Sequence, residues 1–485
     1  MAQLNVRATR IGDEKKFVIV GGSLNSLVIA GALLADGVEG QSILIVESSM
    51  HLGGQFRSDL GNNDLRFDKG TRILYETGNP RADSFIKQVV ERCPSKTLEG
   101  NHRDIGGTFN NGHFNFGSVY PSFGELSTQL KVQILGELVM RIEDRRSDQV
   151  RKPASLQHFL DGHFGATARE LIHEPICRKV FKLESSKLSD RVIDILPLSR
   201  LTGLSHLTML DLVNSEEFKS RLAFPEQLQL PPVRRTEYCG FYPKSLGIQN
   251  YVDAAESILR EAGVEIRLEC SISRIREKAS DSGVVELLLK TTDRSAPELL
   301  NGRQVIWTSG HRSLALCAGA NKQSLPEDQS RKMRIVHFML RNNSSMGELY
   351  YAYCYDSSLS LFRLTNYSAY SLCRPNVGLF PMTAEFFDTG ASESEFVKNV
   401  TRELEVVLGI NSEDPNEFRV VGMSKGALPV PEVKSEQLWS EIAGQLADDL
   451  GESVSFPGRN ASRPGFLGRD VVKDILQQID TRSCQ

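Results

Sequence analysis

A short segment near the N-terminus limits the possible folds more than any other feature of the chain. Residues 17–30 read FVIVGGSLNSLVIA, an apolar run followed by a glycine turn and a second apolar stretch that contains small residues. This is the pattern of a buried parallel strand that leads into a helix packed on the sheet. A further apolar run, residues 42–46, ends at the acidic Glu47. Together these features predict a strand–helix–strand (βαβ) unit and therefore an α/β fold.

The glycine turn differs from the G-x-G-x-x-G pattern of dinucleotide-binding loops, because it keeps only the first of the three glycines. Gly21 permits the sharp turn, and Gly22 adds backbone freedom. Ser23 replaces the glycine that approaches the pyrophosphate, and its hydroxyl can donate to a phosphate oxygen. Ser26 replaces the glycine of close helix–strand packing. The helix from Asn25 still presents N–H groups to an anion. The turn alone fits a dinucleotide site and an ordinary strand–helix turn equally well.

The acidic residue at the end of the second strand favours the dinucleotide interpretation. Glu47 lies 26 residues after Gly21, near the spacing of about 20 residues that dinucleotide-binding units show. A carboxylate at this point can accept hydrogen bonds from both ribose hydroxyls of an adenosine. Because it would repel a 2′-phosphate, it favours FAD or NAD over NADP.

The residues that follow Glu47 resemble a known group of flavoproteins. Residues 46–58 read VESSMHLGGQFRS, and residues 66–75 read RFDKGTRILY. This text is similar to the flavoprotein superfamily that contains the amine oxidases, protoporphyrinogen oxidase and UDP-galactopyranose mutase. Its members follow the strand-end acid with a hydrophobic residue, a Gly-Gly doublet and often an arginine, and later carry Phe-Asp-x-Gly. The resemblance implies FAD as the cofactor.

The same resemblance implies roles for individual residues in this first part of the chain. Gly53 and Gly54 would let the backbone pass close to the FAD phosphates, and Arg57 would neutralise them. Gly70, Thr71 and Arg72 would lie near the isoalloxazine ring. The residues that we expect to bind the cofactor here are Gly21, Gly22, Ser23, Asn25, Ser26, Glu47, Ser48, Gly53, Gly54, Gln55, Arg57, Gly70 and Thr71.

Further segments resemble the same superfamily in the same order along the chain. Residues 161–165, 174–181 and 188–189 are similar to its helical lid, and residues 241–244 to the return into the FAD domain. Residues 264–269 and 271–275 would be a strand pair that meets the adenine. Residues 304–310, 457–460 and 468–472 would complete the cofactor site. The cofactor-binding residues implied by these segments are Ile272, Gly310, Gly458, Arg459, Asp470, Val471 and Val472.

The expected architecture is a Rossmann-like FAD-binding domain, with a parallel sheet built around the βαβ unit, and an inserted mixed α+β substrate domain. A chain of 485 residues exceeds one ordinary core, so two joined domains are expected. Residues 1–16 are predicted to be a tail. Residues 17–75, 241–315 and 426–485 would form the FAD-binding domain. A helical insertion, 76–240, and an antiparallel sheet, 316–425, would form the substrate domain.

Aromatic residues and one arginine mark the expected substrate side. Residues 350–355 contain four tyrosines, and residues 361–367 read LFRLTNY. A guanidinium beside tyrosines suits a phosphate and a stacked ring, although tyrosines also fit any half-buried strand. The segment 361–366, together with Glu385, resembles the mutases, but Arg72 stands where they have a histidine. The candidate catalytic residues are Arg72, Arg363 and Tyr367.

Three functions follow as expectations. The first is an FAD-dependent oxidoreductase that acts on a small polar or nucleotide-linked substrate. The second is a mutase-like flavoenzyme that acts on a sugar nucleotide in polysaccharide biosynthesis. The third is a flavin-less binding module with the same fold, which the two serines of the turn keep open.

Composition excludes other classes of function. The net charge of −4 leaves no excess of basic residues for a nucleic-acid-binding face. The eight cysteines include no C-x-x-C pair, which favours reduced thiols in the cytoplasm and no metal site. No apolar run approaches the roughly 20 residues that span a bilayer. A small-molecule substrate is therefore the expected partner, and a homodimer is compatible with the sequence.

Overall fold

The computed structural model describes residues 9–10, 14–60, 65–103, 105–144, 155–278, 283–292, 296–327, 329–341, 345–371, 379–415, 417–459 and 468–483. The strands are β1 Thr9–Arg10, β2 Lys15–Val20, β3 Ile43–Val46, β4 Asp59–Leu60, β5 Arg66–Phe67, β6 Leu74–Tyr75, β7 Ser95–Leu98, β8 Gly106–Asn110, β9 His113–Asn115, β10 Gly240–Pro243, β11 Glu265–Arg267, β12 Cys270–Glu277, β13 Val285–Thr291, β14 Glu298–Trp307, β15 Ser330–Leu340, β16 Tyr351–Cys354, β17 Leu361–Asn366, β18 Phe380–Phe387, β19 Phe418–Pro429 and β20 Val454–Ser455. The helices are α1 Leu24–Ala35, α2 Pro80–Arg92, α3 Thr128–Asp144, α4 Leu156–His163, α5 Ala166–Ala168, α6 Glu174–Phe181, α7 Val192–Ile195, α8 His206–Asp211, α9 Glu216–Lys219, α10 Gln249–Glu261, α11 His311–Cys317, α12 Glu393–Leu408, α13 Val433–Asp449 and α14 Gly468–Ser483.

The βαβ unit is present as expected, formed by β2, α1 and β3. It belongs to an eight-stranded sheet of order β11-β3-β2-β14-β13-β12, in which β1 and β20 also pair with β14. The strands β11, β3, β2 and β14 run parallel to one another. All four residues of β3 are buried, because helices and loops cover both faces of a parallel sheet. This sheet is the Rossmann-like domain, and it places the glycine turn at the carboxyl end of β2.

Two local predictions in this sheet differ from the structure. Residues 264–269 and 271–275 are strands but do not pair with each other, since β11 pairs with β3 and β12 pairs with β13. The chain turns between them at Glu269, whose φ is +54°. Within the expected N-terminal tail, β2 already begins at Lys15, and Thr9–Arg10 pairs in parallel with β14.

The second sheet has seven strands in the order β19-β15-β18-β17-β16-β8-β9. It was expected to be antiparallel and to lie within residues 316–425. The structure adds β8 and β9 from the expected helical insertion, and β8 runs parallel to β16. Its edge strand β19 continues to Pro429. The sheet is therefore mixed, and residues from both halves of the substrate domain build it.

The helices α3 to α9 pack on one side of this second sheet. Their buried residues, among them Leu138, Phe164 and Val180, form one hydrophobic cluster with Tyr353 and Phe362 of the sheet. A single π-helical turn, Arg169–His173, lies between α5 and α6. The helical layer therefore fixes the strands β16 and β17, which carry the aromatic residues and the arginine of the expected substrate side.

Within the described residues, no helix combines the length and the apolar character needed to cross a bilayer. The same residues contain no group of three or more His, Cys, Asp or Glu side chains placed to hold a metal ion. The structure describes six cysteines, and no disulfide bond joins any two of them.

A buried histidine joins the second sheet to a small two-stranded sheet formed by β4 and β5. His337 on β15 is 2% exposed, and its Nε2 lies 3.2 Å from Oδ2 of Asp59 on β4. Its Nδ1 lies 2.9 Å from the hydroxyl of Thr383 on β18, and its ring stacks on Phe67 at 5.0 Å between centroids. Lys69 approaches the same carboxylate at 3.4 Å. Asp59 is therefore held between the two domains by two nitrogen-bearing side chains.

Asp59→Asn is expected to flatten the acid dependence of the free energy of unfolding. Burial would raise the pKa of Asp59, but the hydrogen bond from His337 and the charge of Lys69 lower it to about 2. The unfolded-state value is about 3.9, so the carboxylate stabilises the fold above pH 4 and this contribution is lost as the pH falls from about 4 to about 2. Because 26% of the side chain is exposed, we expect only about 1–2 kcal/mol. Denaturant titrations at pH 5 and pH 2.5 give the free energy of unfolding at each pH. The same loss of unfolding free energy between the two pH values in the variant and the parent would contradict this prediction.

Candidate functional site

Gly21 allows two loops to approach each other at the carboxyl ends of β2 and β14. Its φ is +111°, a conformation that side chains disfavour, and its N–H donates to Val46 O at 2.8 Å. A Cβ at this position would lie 2.5 Å from Oγ1 of Thr308 and 2.7 Å from Oγ of Ser309. The first glycine of the turn is thus required both for its backbone angle and for its lack of a side chain.

The two serines of the turn are part of a hydrogen-bond chain that holds α1 on the sheet. Ser23 is the N-cap of α1, and its Oγ accepts a long hydrogen bond from Ser26 N and lies 3.0 Å from Ser26 Oγ. Ser26 is fully buried, and its Oγ lies 2.8 Å from Oγ1 of Thr308. Thr308 in turn donates to Val20 O at 2.9 Å. Ser26 therefore keeps the close helix–strand packing that a glycine provides in the usual pattern, and adds a hydrogen bond.

Glu47 closes the same turn from the end of β3. Its Oε2 accepts from Gly22 N at 2.6 Å, and its Oε1 accepts from Ser49 N at 2.7 Å and from Ser48 Oγ at 3.2 Å. The side chain remains half-buried, and each carboxylate oxygen has a further lone pair. Glu47 is therefore oriented by the backbone and can still accept from a ribose diol.

Two helices begin at the same place beside this turn. A Cβ on Gly468, the first residue of α14, would lie 2.6 Å from Oδ1 of Asn25 in the first turn of α1. The first turn of α1 contains no acidic residue, so the partial positive charge of its N–H groups is not offset there. The loop 53–57 lies against the turn, with Gly53 N donating to Gly22 O at 2.7 Å. Arg57 is exposed and forms no ion pair with a described residue. This cradle fits the pyrophosphate of a dinucleotide.

A cavity of about 430 Å³ opens from this cradle between the two sheets. Its volume is within the range of small-molecule sites. One wall comes from the FAD-binding side, including Val28, Phe56 and Val472, and the facing wall comes from β16 and β17. Six of the sequence-predicted site residues line it, namely Asn25, Gln55, Thr71, Arg72, Arg363 and Val472.

Arg363 is paired with a buried carboxylate. Its Nε donates to Oε1 of Glu385 at 2.6 Å and its Nη2 to Oε2 at 3.0 Å, with side-chain exposures of 15% and 8%. Burial lowers the pKa of Arg363, but Glu385 outweighs burial and raises it. A Cβ on Gly70 would lie 2.5 Å from the same carboxylate, and the φ of Gly70 is +83°. Gly70 is therefore needed to leave room for Glu385, and the charge of Arg363 is matched by its partner.

Arg72 has no such partner among the described residues. Its Nε donates to Gln55 O at 3.2 Å and its Nη1 to Thr71 O at 3.0 Å. Burial lowers its pKa, and the nearby Arg363 lowers it further, against Glu385 and Asp68, which raise it. The guanidinium thus lines the cavity with a positive charge that two carbonyl oxygens compensate only in part. An anion in the cavity would complete this compensation.

Tyr367 does not line the cavity. It is fully buried, donates to Asp68 O at 2.9 Å and lies 2.8 Å from Oγ1 of Thr383. Two more buried tyrosines, Tyr242 and Tyr350, pack against its ring, and Tyr370 stacks on Tyr350. This position does not fit the catalytic role that we expected for Tyr367, because its hydroxyl is used within the core. Its function in the fold is to support the loop that carries Arg72.

Asp68 holds the loop that carries Arg72 through hydrogen bonds to its buried carboxylate. Its carboxylate accepts from Ser58 Oγ at 2.8 Å, from Tyr242 OH at 2.7 Å and from Ile248 N at 2.8 Å. Burial raises the pKa of Asp68, whereas these three hydrogen bonds and the charge of Arg72 act to lower it. The Asp of the Phe-Asp-x-Gly segment is therefore a structural group that fixes the backbone before Gly70.

The remaining predicted cofactor residues lie outside the cavity. Ile272 is 9% exposed, and its carbonyl accepts from Cys317 Sγ at 3.1 Å. Gly310 is the exposed N-cap of α11. Gly458 N donates to Asp474 Oδ2 at 2.5 Å, and Arg459 donates to the carbonyls of Val454 and Ala447. Asp470 and Val471 lie in the first turn of α14. Arg459 thus joins the segment that follows β20 to β20 itself and to α13, and its contact with the cofactor stays a prediction.

Sequence reasoning placed the tyrosines of residues 350–355 on the substrate side but named none of them as a site residue, and two of them line the cavity. Tyr351 and Tyr353 alternate with buried neighbours along β16, and Tyr353 lies opposite Arg363 in the strand register. The alternation of side chains along a strand could have separated them from the core residue Tyr350. Arg103 and Arg469 also line the cavity. Arg469 lies within the segment 468–472 that resembles the closing cofactor motif but was not named as a site residue, and no local sequence pattern pointed to Arg103.

Comparisons with known proteins identify the family and the fold. A family model described as flavin containing amine oxidoreductase matches residues 27–347, which is more than half of the chain and begins directly after the glycine turn. No curated protein sequence matches.

Solved structures share the fold over nearly the whole chain. A reduced UDP-galactopyranose mutase aligns with a TM-score of 0.68 at 14% identity, over 97% of this chain and 96% of that one. A triple mutant of putrescine oxidase, redesigned in its cofactor binding, aligns with a TM-score of 0.57 at 11% identity, over 97% and 99%. A fatty acid isomerase from P. acnes that produces CLA aligns with a TM-score of 0.56 at 13% identity, over 98% and 99%. At these identities the similarity concerns the fold.

Proposed function

The chain belongs to the flavin containing amine oxidoreductase family, and from this premise we propose that it oxidises or reduces a small anionic substrate, polar or nucleotide-linked. The chain is a flavoenzyme, and FAD is its cofactor. The expectation of a flavin-less binding module therefore has no support. The proposal concerns the substrate and the residues that hold it.

The charge of the cavity lining carries the proposal. The lining contains four arginines and no carboxylate among its described residues. Glu385 pairs with Arg363 and Asp470 lies 3.6 Å from Arg469, which leaves Arg72 and Arg103 without an ion-pair partner among the described residues. A protonated amine would be repelled by such a lining, whereas a phosphate or carboxylate group would be attracted and could bind a guanidinium with two hydrogen bonds. The apolar wall formed by Val28, Phe56 and Ile86 can exclude water around the less polar part of a substrate.

The chain's own residues would hold and orient the substrate. When bound, FAD supplies the capacity to accept or donate a hydride or electrons. Arg72, fixed by its bonds to the carbonyls of Gln55 and Thr71, would bind the anionic group. Nη1 of Arg363 lies 3.4 Å from the hydroxyl of Tyr353. Arg363 would donate hydrogen bonds to the substrate but add little net charge, because Glu385 compensates the charge of its guanidinium. Residues that orient a substrate in this way can supply much of the rate enhancement.

Anaerobic mixing of the holoenzyme with two panels of compounds tests the proposal. One panel contains organic anions, such as dicarboxylates, amino acids and sugar nucleotides, and the other contains diamines such as putrescine. We expect at least one anion to bleach the flavin absorbance and the diamines to leave it unchanged. Bleaching by diamines alone would contradict the proposal.

Arg72→Gln is expected to weaken anion binding about 10- to 100-fold, because a charge-assisted hydrogen bond from a buried group is lost. Titration of the holoenzyme with UDP, followed by the change in flavin absorbance, measures the dissociation constant. Arg276→Gln is the matched control, since Arg276 is 63% exposed, pairs with Glu286 across the strands β12 and β13, and does not line the cavity. Equal UDP affinity in Arg72→Gln and the parent would remove Arg72 from the site.

A mutase-like reaction on a sugar nucleotide is the second candidate. Arg72 and Arg103, which have no carboxylate partner among the described residues, suit the diphosphate of such a substrate. This favours the mutase-like reaction over other non-redox reactions. The two candidates differ in electron balance. Turnover of a sugar nucleotide that requires prior reduction of the flavin, with no net consumption of reductant, would support the mutase, whereas stoichiometric consumption would support the oxidoreductase.

A further inference from the structure

We propose that Arg103, with the rings of Tyr75 and Tyr351, forms a subsite for a second anionic group of the substrate, at a different part of the cavity from Arg72. This inference rests on the proposed function and deepens it, because it identifies the substrate as a molecule with two separated anionic groups or one extended anion such as a diphosphate.

The side chain of Arg103 is held in place without an acidic partner. Its guanidinium lies 4.7 Å from the centre of the Tyr75 ring, a cation–π contact. Its Nε is buried and has no hydrogen-bond partner, and no carboxylate of a described residue lies within ion-pair distance. A buried donor without a partner costs about 1–3 kcal/mol. A ligand with an anionic oxygen would satisfy both the donor and the charge.

The backbone of Arg103 is fixed by the core. The hydroxyl of the buried Tyr370 accepts from Ile105 N at 3.0 Å and donates to Arg103 O at 3.4 Å. Three residues after Arg103, Gly106 begins β8. The guanidinium therefore extends from a segment that is tied to the second sheet, and it does not depend on a freely moving loop.

Each of the two tyrosine rings lies over a glycine of the neighbouring strand. Gly240 on β10 pairs with Tyr75, and a Cβ there would lie 2.9 Å from the Tyr75 ring. Gly106 on β8 pairs with Tyr351, and a Cβ there would lie 2.6 Å from the Tyr351 ring. Both rings line the cavity. The absence of two side chains thus gives both rings their positions in the lining of the cavity, and the ring of Tyr75 is the one in contact with Arg103.

The other arginines of the lining do not compete for this role. Glu385 compensates Arg363, and Asp470 lies 3.6 Å from Arg469. Arg72 donates to the carbonyl of Gln55 on the cofactor side. Arg103 makes a cation–π contact with Tyr75 and lies just before β8 in the chain. Arg72 and Arg103 are therefore two separate positive charges without an ion-pair partner among the described residues, and one molecule that carries two anionic groups can compensate both.

Titration of the FAD-loaded protein with two probes tests the subsite. UDP represents phosphate groups, and glutarate represents a pair of carboxylates; the change in flavin absorbance gives the dissociation constant of each. We expect Arg103→Gln to raise the dissociation constant of at least one probe about 10- to 100-fold, and Arg103→Lys to raise it less. The FAD content per chain should stay equal to that of the parent. The probe that is affected more identifies the anionic group.

Three outcomes would overturn the subsite, and they are distinguishable from a failure of the proposed function. Equal affinities in Arg103→Gln, Arg103→Lys and the parent would remove Arg103 from substrate binding. Loss of FAD from a folded Arg103→Lys variant would assign Arg103 to the cofactor instead. If Arg72→Gln weakens binding and Arg103→Gln does not, only the second anionic position fails. If the parent binds no anion of either kind, the anionic-substrate proposal fails together with the subsite.

Discussion

Gly21→Ala raises the dissociation constant of FAD about 30- to 1,000-fold, if the glycine turn holds the cofactor as the structure implies. An added Cβ at φ +111° would meet Thr308 and Ser309 within 2.7 Å. Backbone strain of about 1–3 kcal/mol and overpacking of about 1–3 kcal/mol can be relieved in the free protein by a shift of the turn. Binding of FAD would then have to restore the original position, at a cost of about 2–4 kcal/mol.

Gly37→Ala is the matched control for this substitution. Gly37 also has a positive φ, +81°, but a Cβ there would have no atom within 4 Å. It therefore tests strain without crowding, outside the cofactor site. Fluorescence titration with FAD measures both variants, because Trp307 lies at the end of β14 directly before Thr308. The same FAD affinity in Gly21→Ala and the parent would contradict the role of the turn.

Glu385→Gln lowers the free energy of unfolding by about 3–5 kcal/mol, because it leaves the buried guanidinium of Arg363 without a compensating charge. The effect is increased by Arg72, whose positive charge acts on Arg363 in the same region. Glutamine has nearly the same size as glutamate, so the space beside Gly70 stays filled, while the charge and one of the two oxygens that accept from Arg363 are lost. Denaturant unfolding at saturating FAD and without FAD measures it, since cofactor binding adds to apparent stability.

The double variant Arg363→Met with Glu385→Leu separates charge from packing. Replacement of a whole buried ion pair by apolar residues is often neutral or stabilising, so this variant should recover most of the stability that Glu385→Gln loses. If Glu385→Gln stays within about 0.5 kcal/mol of the parent, the size of a typical surface substitution, the pair does not have the energetic role that its burial indicates.

Local features of the sequence were sufficient for the cofactor half of the molecule. The βαβ unit could be predicted because its strands are short apolar runs and its helix begins at a capping serine, all within 30 residues. The segments around Gly53 and Gly70 could be interpreted because backbone conformation there depends on glycine itself. Ser26 shows the limit of this reasoning, since its bond to Thr308 joins residues that are 282 positions apart.

The substrate half depended on long-range pairing that no local pattern encodes. The strands β8 and β9 join the second sheet from a region rich in helices, and the strand β16 that pairs with β8 lies more than 200 residues later. The tyrosines of residues 350–355 could not be assigned to core or cavity until their strand faces were known. Tyr367 was predicted to be catalytic because it is an aromatic residue near Arg363 in the sequence. The chain turns after β17, however, so the side chain of Tyr367 is buried and donates to the carbonyl of Asp68.

The visible absorbance spectrum of the purified protein, before and after heat precipitation, tests the central claim most directly. That claim is that a glycine turn with Ser23 and Ser26 in place of two glycines is a working FAD site. Flavin bands near about 370 and 450 nm are expected, and the cofactor should appear in the supernatant, because the described lining of the cavity contains no cysteine or histidine for covalent attachment. A colourless protein that also fails to take up added FAD would contradict the claim.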